Sequence, residues 1–418
     1  MLLRRNRDFA RLWTGETVSA VGTQVTLLAL PLLAVEELDA GAGEMGALGF
    51  AQTIPFVLFA LAAGVWVDHH RRRPLLIATN AARALLLALI PLLALLGVLE
   101  LWQVLAIAFG VGACTVFFEV GFQSYLPRLV ERDDLVEANS RLTAANSVAE
   151  VGGPGLAGIL VGAIGARFTI ALDSVSFLVS AVGVARIRRA EPEPASPPPR
   201  SGLRREIAEG FAETLHNRYL LAFAAEAGTY NVAWHAIDAI LVLWAVNELG
   251  LGAGTLGLLL SVGSVGAVLG ALLTEGLARR IGVGPAMWGC ALMSNVGVLM
   301  IPLAAGETAT VIAVLGTAFF VQGLGSTGTN VHTYAIRQAV TPDRLLGRTN
   351  AVYRMLTWGL IPLGSLLGGV LGETLGLRPA LWIGAVLLFP SWLWLFFSPA
   401  RSLRTLPAGA AQAASRSA

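Results

Sequence analysis

Apolar residues run in blocks of about twenty along the whole chain, separated by short polar breaks, and about twenty such residues in a helix cross a hydrocarbon core. Twelve blocks reach that length: 9–35, 45–67, 74–97, 101–126, 141–164, 167–187, 219–246, 254–278, 284–304, 308–335, 350–373 and 379–398. The pattern predicts an all-α polytopic membrane protein. The breaks alternate in charge. Arg4 to Arg11 precede the first block and Glu36, Glu37, Asp39 and Glu44 follow it; Arg71 to Arg73 come next, then Glu100, then Arg128, Arg132 and Arg141. All but three of the 29 arginines fall on the side of the N-terminus or at its helix ends, the exceptions being Arg83 inside a span and Arg167 and Arg378 opposite. The positive-inside rule makes that side cytoplasmic, with both termini on it and a cell membrane as the location. The first block is too long for a cleaved signal peptide and has no A-x-A site, so it is expected to remain as a membrane helix. Trp13, Trp102, Trp244, Trp382, Trp392 and Trp394 lie near block ends and read as interfacial anchors.

Composition narrows the chemistry. Residues are 55% hydrophobic and only 13% charged, against roughly 25% charged in a soluble domain. Every basic residue is Arg, and without Lys neither a Walker A loop nor a pyridoxal or retinal Schiff base can form. ATP-driven pumping is thereby excluded within this chain. Cys114 and Cys290 sit in apolar blocks, and there is no CxxC or HExxH, so no cofactor or metal is expected. A net charge of +2 implies no nucleic-acid surface. No nucleophile, base and orienting group come together, so the chain does not read as an enzyme.

One linker interrupts the pattern, RIRRAEPEPASPPPRSGLRR from Arg186 to Arg205, where proline and charge favour extended chain. The division it suggests is a six-helix bundle over 1–187, a linker with an amphipathic helix on the inner membrane face over 188–218, a second bundle over 219–398 and a tail over 399–418. An internal repeat agrees: LVERDDLVEANSRL resembles AVTPDRLLGRTNAVYRML, with Asp133 matching Asp343 and Leu135 matching Leu345 at an offset of 210, and Pro154 and Pro362 follow at an offset of 208. Two related bundles form a parallel repeat, the plan of a rocking secondary transporter.

The segment GVWVDHHRRRP resembles the G-x-L-A-D-R-x-G-R-R signature of the major facilitator superfamily, with Gly64, Asp68, Arg72 and Arg73 matching and Trp66, His69 and Arg71 departing. The runs FQSYLPRLVERDDLVEANSRL, LDSVSFLVSA and TPDRLLGRTNAVYRML resemble the branch of enterobactin-type siderophore exporters and macrolide efflux proteins. The resemblance spans about residues 7–398. It implies the two-bundle fold, transport of a small molecule, and a conformational latch at Gly64, Asp68, Arg72 and Arg73, with Arg128 or Arg141 as the partner of Asp68. AEVGGPGLAG is similar to the helix-five signature of superfamily antiporters, matching at Gly153, Pro154 and Gly158. There a kink serves either gating or simple tight packing. The family's R-x-x-x-Q-G pattern has no counterpart in LAIAFGVGACTVFFE, which argues against a relay of that kind.

Ionisable groups inside spans are costly and point to function. Glu16, Arg83, Glu119 and Glu150 lie at similar depth, ~10–14 Å from the inner helix ends at ~1.5 Å per residue. Adjacency in sequence suggests a structural pair between Arg83 and Glu119. Glu16 continues a stripe with Thr23, and Glu150 one with Asn146, on the two helices that by resemblance line the cavity, whereas helices three and six are peripheral. Glu16 and Glu150 are thus candidates for exchanging a proton against a cationic substrate, or are satisfied by neighbouring polar groups. In the second half Asn231, His235 and Asp238 share one face, with Asp238 near water, and Gln322 and Asn330 share another; Glu226 is expected to point elsewhere. The expected function is export of a small hydrophobic or amphipathic molecule against inward proton flow, by a monomer in the lipid bilayer. An importer or facilitator of the same fold is the first alternative, and a receptor or lipid scramblase the second.

Overall fold

A computed structural model describes residues 2–189, 191, 203–342 and 345–407, apart from the side chains of Asp68 and of 203–207. Most of the proline-rich linker, Asp343 and the end of the tail lie outside the described residues, as does the carboxyl group of Asp68. Twelve helices are long and apolar enough to cross a membrane. Spans one to six are Arg7–Leu38, Ala42–Val67, Arg72–Leu95, Leu101–Leu129, Arg132–Ile164 and Ala166–Ala185. Spans seven to twelve are Arg218–Asn247, Ala253–Ile281, Val283–Leu303, Thr308–Val340, Leu346–Leu375 and Leu377–Phe396. The described residues contain no strand, and the chain is a multi-pass helical membrane protein.

Local chemistry moves several ends away from the apolar blocks. Span one starts earlier because the Asn6 side chain accepts the backbone N–H groups of Asp8 and Phe9 at 3.1 and 2.9 Å, an N-cap. Span five is entered through a 3-10 turn at Arg132–Asp134 and is helical from Leu135, so its first turns are polar. Span eleven is two helices, Leu346–Trp358 and Ile361–Leu375. Pro362 has no N–H and its ring crowds the carbonyl four residues back, so the ladder breaks there. The repeat-related Pro154 stays inside a continuous helix.

Two compact units result, Met1–Pro198 with Val242–Ser261, and Pro199–Leu241 with Val262–Ala418. Residues 242–261, expected in the second bundle, group with the first. The reason is a glycine crossing of spans five and eight: a Cβ on Gly158 would strike the Ala253 carbonyl, and one on Gly257 the Pro154 carbonyl. Small residues at such a crossing let backbones approach closely. Trp244 is fully buried, so it packs within the protein instead of anchoring at an interface.

In the first unit Phe9, Leu12, Leu76, Tyr125, Leu129 and Val184 form a core at the arginine-rich end. In the second, Phe223, Met287, Ile336 and Leu395 do the same. The short helix Leu203–His216, expected along the membrane face, packs on the first half of span eleven, where a Cβ on Gly210 would come 2.9 Å from the Arg348 carbonyl and Glu209 pairs with Arg348. Leu58, Leu85, Leu95 and Leu272 are exposed, as lipid-facing residues must be.

Candidate functional site

Glycine sets up the polar centre of the first unit. Gly15 lies where a Cβ would come 2.9 Å from the Ser180 Cα, and Gly183 where it would come 2.9 Å from the Arg11 carbonyl, so spans one and six pack in close contact. That contact brings Ser180 to Glu16, and its hydroxyl donates to Glu16 Oε1 at 2.8 Å. Asn80 of span three donates through Nδ2 to Ser180 Oγ at 2.8 Å, and Arg83 donates to Asn80 Oδ1. A continuous chain of hydrogen bonds therefore runs from the Arg83 guanidinium to the Glu16 carboxylate. Arg83 is buried, with its guanidinium carbon 4.3 Å from the ring centroids of both Phe118 and Phe177.

A second carboxylate stands beside this chain. Asp173 of span six, 1% exposed, accepts from Thr26 Oγ1 at 2.6 Å and from Ser176 Oγ at 2.7 Å. Gly22 makes room for it, because any side chain there would collide with Asp173 Oδ1 and Ser176 Oγ. Asp173 and Arg83 line one cavity of about 190 Å³ together with Thr23, Thr26 and Gln52. The hydrogen bonds reaching both carboxylates come from hydroxyls, and a hydroxyl can turn from donor to acceptor when the carboxylate takes a proton. The hydroxyls can therefore answer either protonation state of the carboxylates they touch.

The second unit has its own polar cavity, also of about 190 Å³, with Glu226, Tyr230 and Asn231 from span seven, Ser294 from span nine, Asn330 from span ten and Tyr353 from span eleven in its lining. Gln322 donates to the Tyr230 hydroxyl at 2.7 Å, and Asn231 donates to the Thr357 carbonyl at 2.9 Å.

The predicted site residues divide accordingly. Glu16 and Thr23 belong to the first centre, and Asn231, Gln322 and Asn330 to the second cavity or its support. Glu226 also lines that cavity, contrary to expectation, one helical turn before Tyr230. His235 lies 3.6 Å from Asp238, which is half exposed, and neither lines the cavity. Glu150 and Asn146 are exposed, since span five turns Ala145, Ala149 and Gly153 inward instead. Arg83 donates to Asn80 and lies over the two phenyl rings, contacts that sequence adjacency did not suggest, while Glu119 is among the carboxylates that act on it electrostatically.

At the latch, the backbone N–H groups of Arg72 and Arg73 donate to the linker carboxylate Glu191 at 2.8 and 3.0 Å. The Arg72 and Arg128 guanidiniums lie 3.9 and 3.8 Å from it. Arg73 donates to the Ala185 carbonyl at 2.6 Å, and Arg141 pairs with Glu137 at 2.8 Å in its own helix. The two arginines proposed as partners of Asp68 thus have other carboxylates. A Cβ on Gly64 would meet open space, so no close approach requires glycine there. Gly153 does require it, because a side chain would run into Gln24 of span one.

Asp173 and Asn80 were missed by sequence reasoning. The signal existed, an acid within the apolar block IALDSVSF, but span six had been set aside as peripheral.

Twelve spans with buried ionisable centres define a major facilitator transporter, and the comparisons agree. The chain belongs to the transmembrane secretion effector family, whose profile matches residues 3–414. It is 26% identical over 392 residues to the multidrug efflux pump Tap of Mycolicibacterium fortuitum, covering 89% of this chain and 92% of that protein. With macrolide efflux protein A of Streptococcus pyogenes it shares 22% identity over 241 residues, 57% of this chain and 59% of the relative. Among solved structures, an inward-facing bacterial homologue of the iron transporter ferroportin matches with a TM-score of 0.74 at 17% identity, over 95% of this chain and 99% of that one. A bacterial homologue of the lysosomal transporter Spinster matches with a TM-score of 0.69 at 13% identity, over 93% and 96%.

Proposed function

We propose that this transporter exports a small hydrophobic or amphipathic molecule by alternating access, driven by inward proton flow, with both termini cytoplasmic. The observation that carries the reading is the first unit's centre: two buried carboxylates, Glu16 and Asp173, held by hydroxyls around one buried guanidinium. The efflux relatives supply the direction, and the arginine-rich breaks supply the orientation.

With Glu16 ionised, Ser180, Asn80 and Arg83 all donate toward it. A proton on Glu16 makes it a donor, so Ser180 turns and the chain loses its alignment with Arg83. Protonation thereby changes how spans one, three and six hold together, and a change in packing of this sort biases one conformation over another.

Inverted vesicles with an imposed pH gradient test the proposal. Accumulation should collapse with a protonophore and be indifferent to ATP. Glu16→Gln and Asp173→Asn should keep exchange of substrate down its own gradient and lose gradient-driven accumulation. Unchanged accumulation after the gradients are dissipated, or wild-type accumulation by both variants, would sink proton coupling.

A further inference from the structure

The second unit's cavity contains a carboxylate that the coupling centre does not use. Glu226 is 8% exposed, lines the cavity, and receives no hydrogen bond or ion pair from the described residues. Arg337, the buried guanidinium of this unit, stands over the rings of Tyr353 and Tyr334 at 3.8 and 5.4 Å. A carboxylate so placed is costly to bury alone. It is relieved either by taking up a proton or by a cation brought in from outside.

The lining indicates which kind. Tyr230, Tyr353 and Trp358 bring aromatic rings to the cavity, and such faces attract alkylammonium groups. Two of these rings are already in contact with guanidinium groups, Arg337 on Tyr353 and Arg354 on Trp358 at 4.6 Å. A hard metal ion would instead need six or more oxygen ligands, and among the described residues no group of three or more His, Cys, Asp or Glu stands together to supply them. Asn231 spends its amide N–H on Thr357 and keeps its oxygen as an acceptor. At about 190 Å³ the cavity is smaller than the roughly 300–1,000 Å³ that holds a drug-sized ligand, so it suits a head group only.

We propose that Glu226, with Tyr230, Tyr353 and Trp358, recognises the alkylammonium head of an amphipathic substrate. The role of that substrate as cargo rests on the export reading above, while its binding does not.

The test uses the purified full chain and tetramethylammonium chloride as the probe, with sodium chloride at equal ionic strength as the control, read by thermal denaturation. Tetramethylammonium should raise the wild-type midpoint saturably, and Glu226→Gln should raise the half-saturating concentration roughly tenfold or more. Tyr230→Leu should weaken the response in the same direction, which keeps the test decisive if the first variant folds poorly. A wild-type response that is absent, matched by sodium, or equal in the wild type and the variants overturns the proposal. A chain that exports under a proton gradient yet ignores tetramethylammonium loses this site and keeps the export reading. A saturable, Glu226-dependent response in a chain that exports nothing does the reverse.

Discussion

Replacing Arg83 with leucine removes a charge from the middle of the first unit while keeping most of the side-chain volume. The structure shows what is lost: a hydrogen bond from the guanidinium to Asn80 and two ring contacts at 4.3 Å. A desolvated cation over a ring contributes about 2 kcal/mol, and a hydrogen bond from a charged donor about 1.5–3 kcal/mol. The expected loss is therefore roughly 6 kcal/mol, since two rings and one such bond are removed together. Asn80 is also left with an unpaired carbonyl, and Glu16 keeps its charge with the cation at the far end of its chain gone. Arg83→Leu should accordingly lower both the thermal midpoint in detergent and the yield of monodisperse protein. Adding Glu16→Gln should recover part of both, because it removes the charge that Arg83 faced through Asn80 and Ser180. Adding Glu119→Ala should recover less, because Glu16 is the carboxylate joined to Arg83 through Ser180 and Asn80. Rescue by Glu119→Ala and not by Glu16→Gln would refute the network and restore the pairing that adjacency suggested.

Two further predictions follow from local geometry. Gly22→Val should mimic the transport defect of Asp173→Asn and reduce folded yield, because its side chain occupies the space of Asp173 Oδ1 and Ser176 Oγ, whereas Gly64→Ala should leave yield unchanged because its methyl meets open space; yields measured side by side decide both. Glu191→Gln should weaken the junction of linker and span three by about 1–2 kcal/mol, since a charged cap on two backbone N–H groups and two nearby guanidiniums is lost. The expected readout is faster trypsin cleavage at Arg188 and Arg189, and unchanged cleavage would show that Glu191 does not hold the segment.

The twelve spans were legible because a lipid-crossing helix must be apolar for about twenty residues whatever it packs against. Glu16 was legible for a related reason: a charge within such a block is costly enough to signal a role on its own. The break at Pro362 illustrates the limit, since the repeat aligned it with Pro154 but only the backbone shows that one interrupts its helix and the other does not. Partners were not legible. Depth along a helix says how far a residue lies from the membrane surface and nothing about the direction in which it points. Adjacency therefore offered Arg83 only Glu119 and not Asn80, while Glu150 looked like a buried carboxylate and Glu226 like a bystander. The tertiary structure decided otherwise through helix rotation and glycine contacts. Gly15 against Ser180 places a hydroxyl on Glu16, Gly22 opens the space for Asp173, and span five buries Ala145, Ala149 and Gly153 while Glu150 stays exposed. These outcomes depend on which backbones approach within van der Waals contact, a property of two helices at once that no single apolar block encodes.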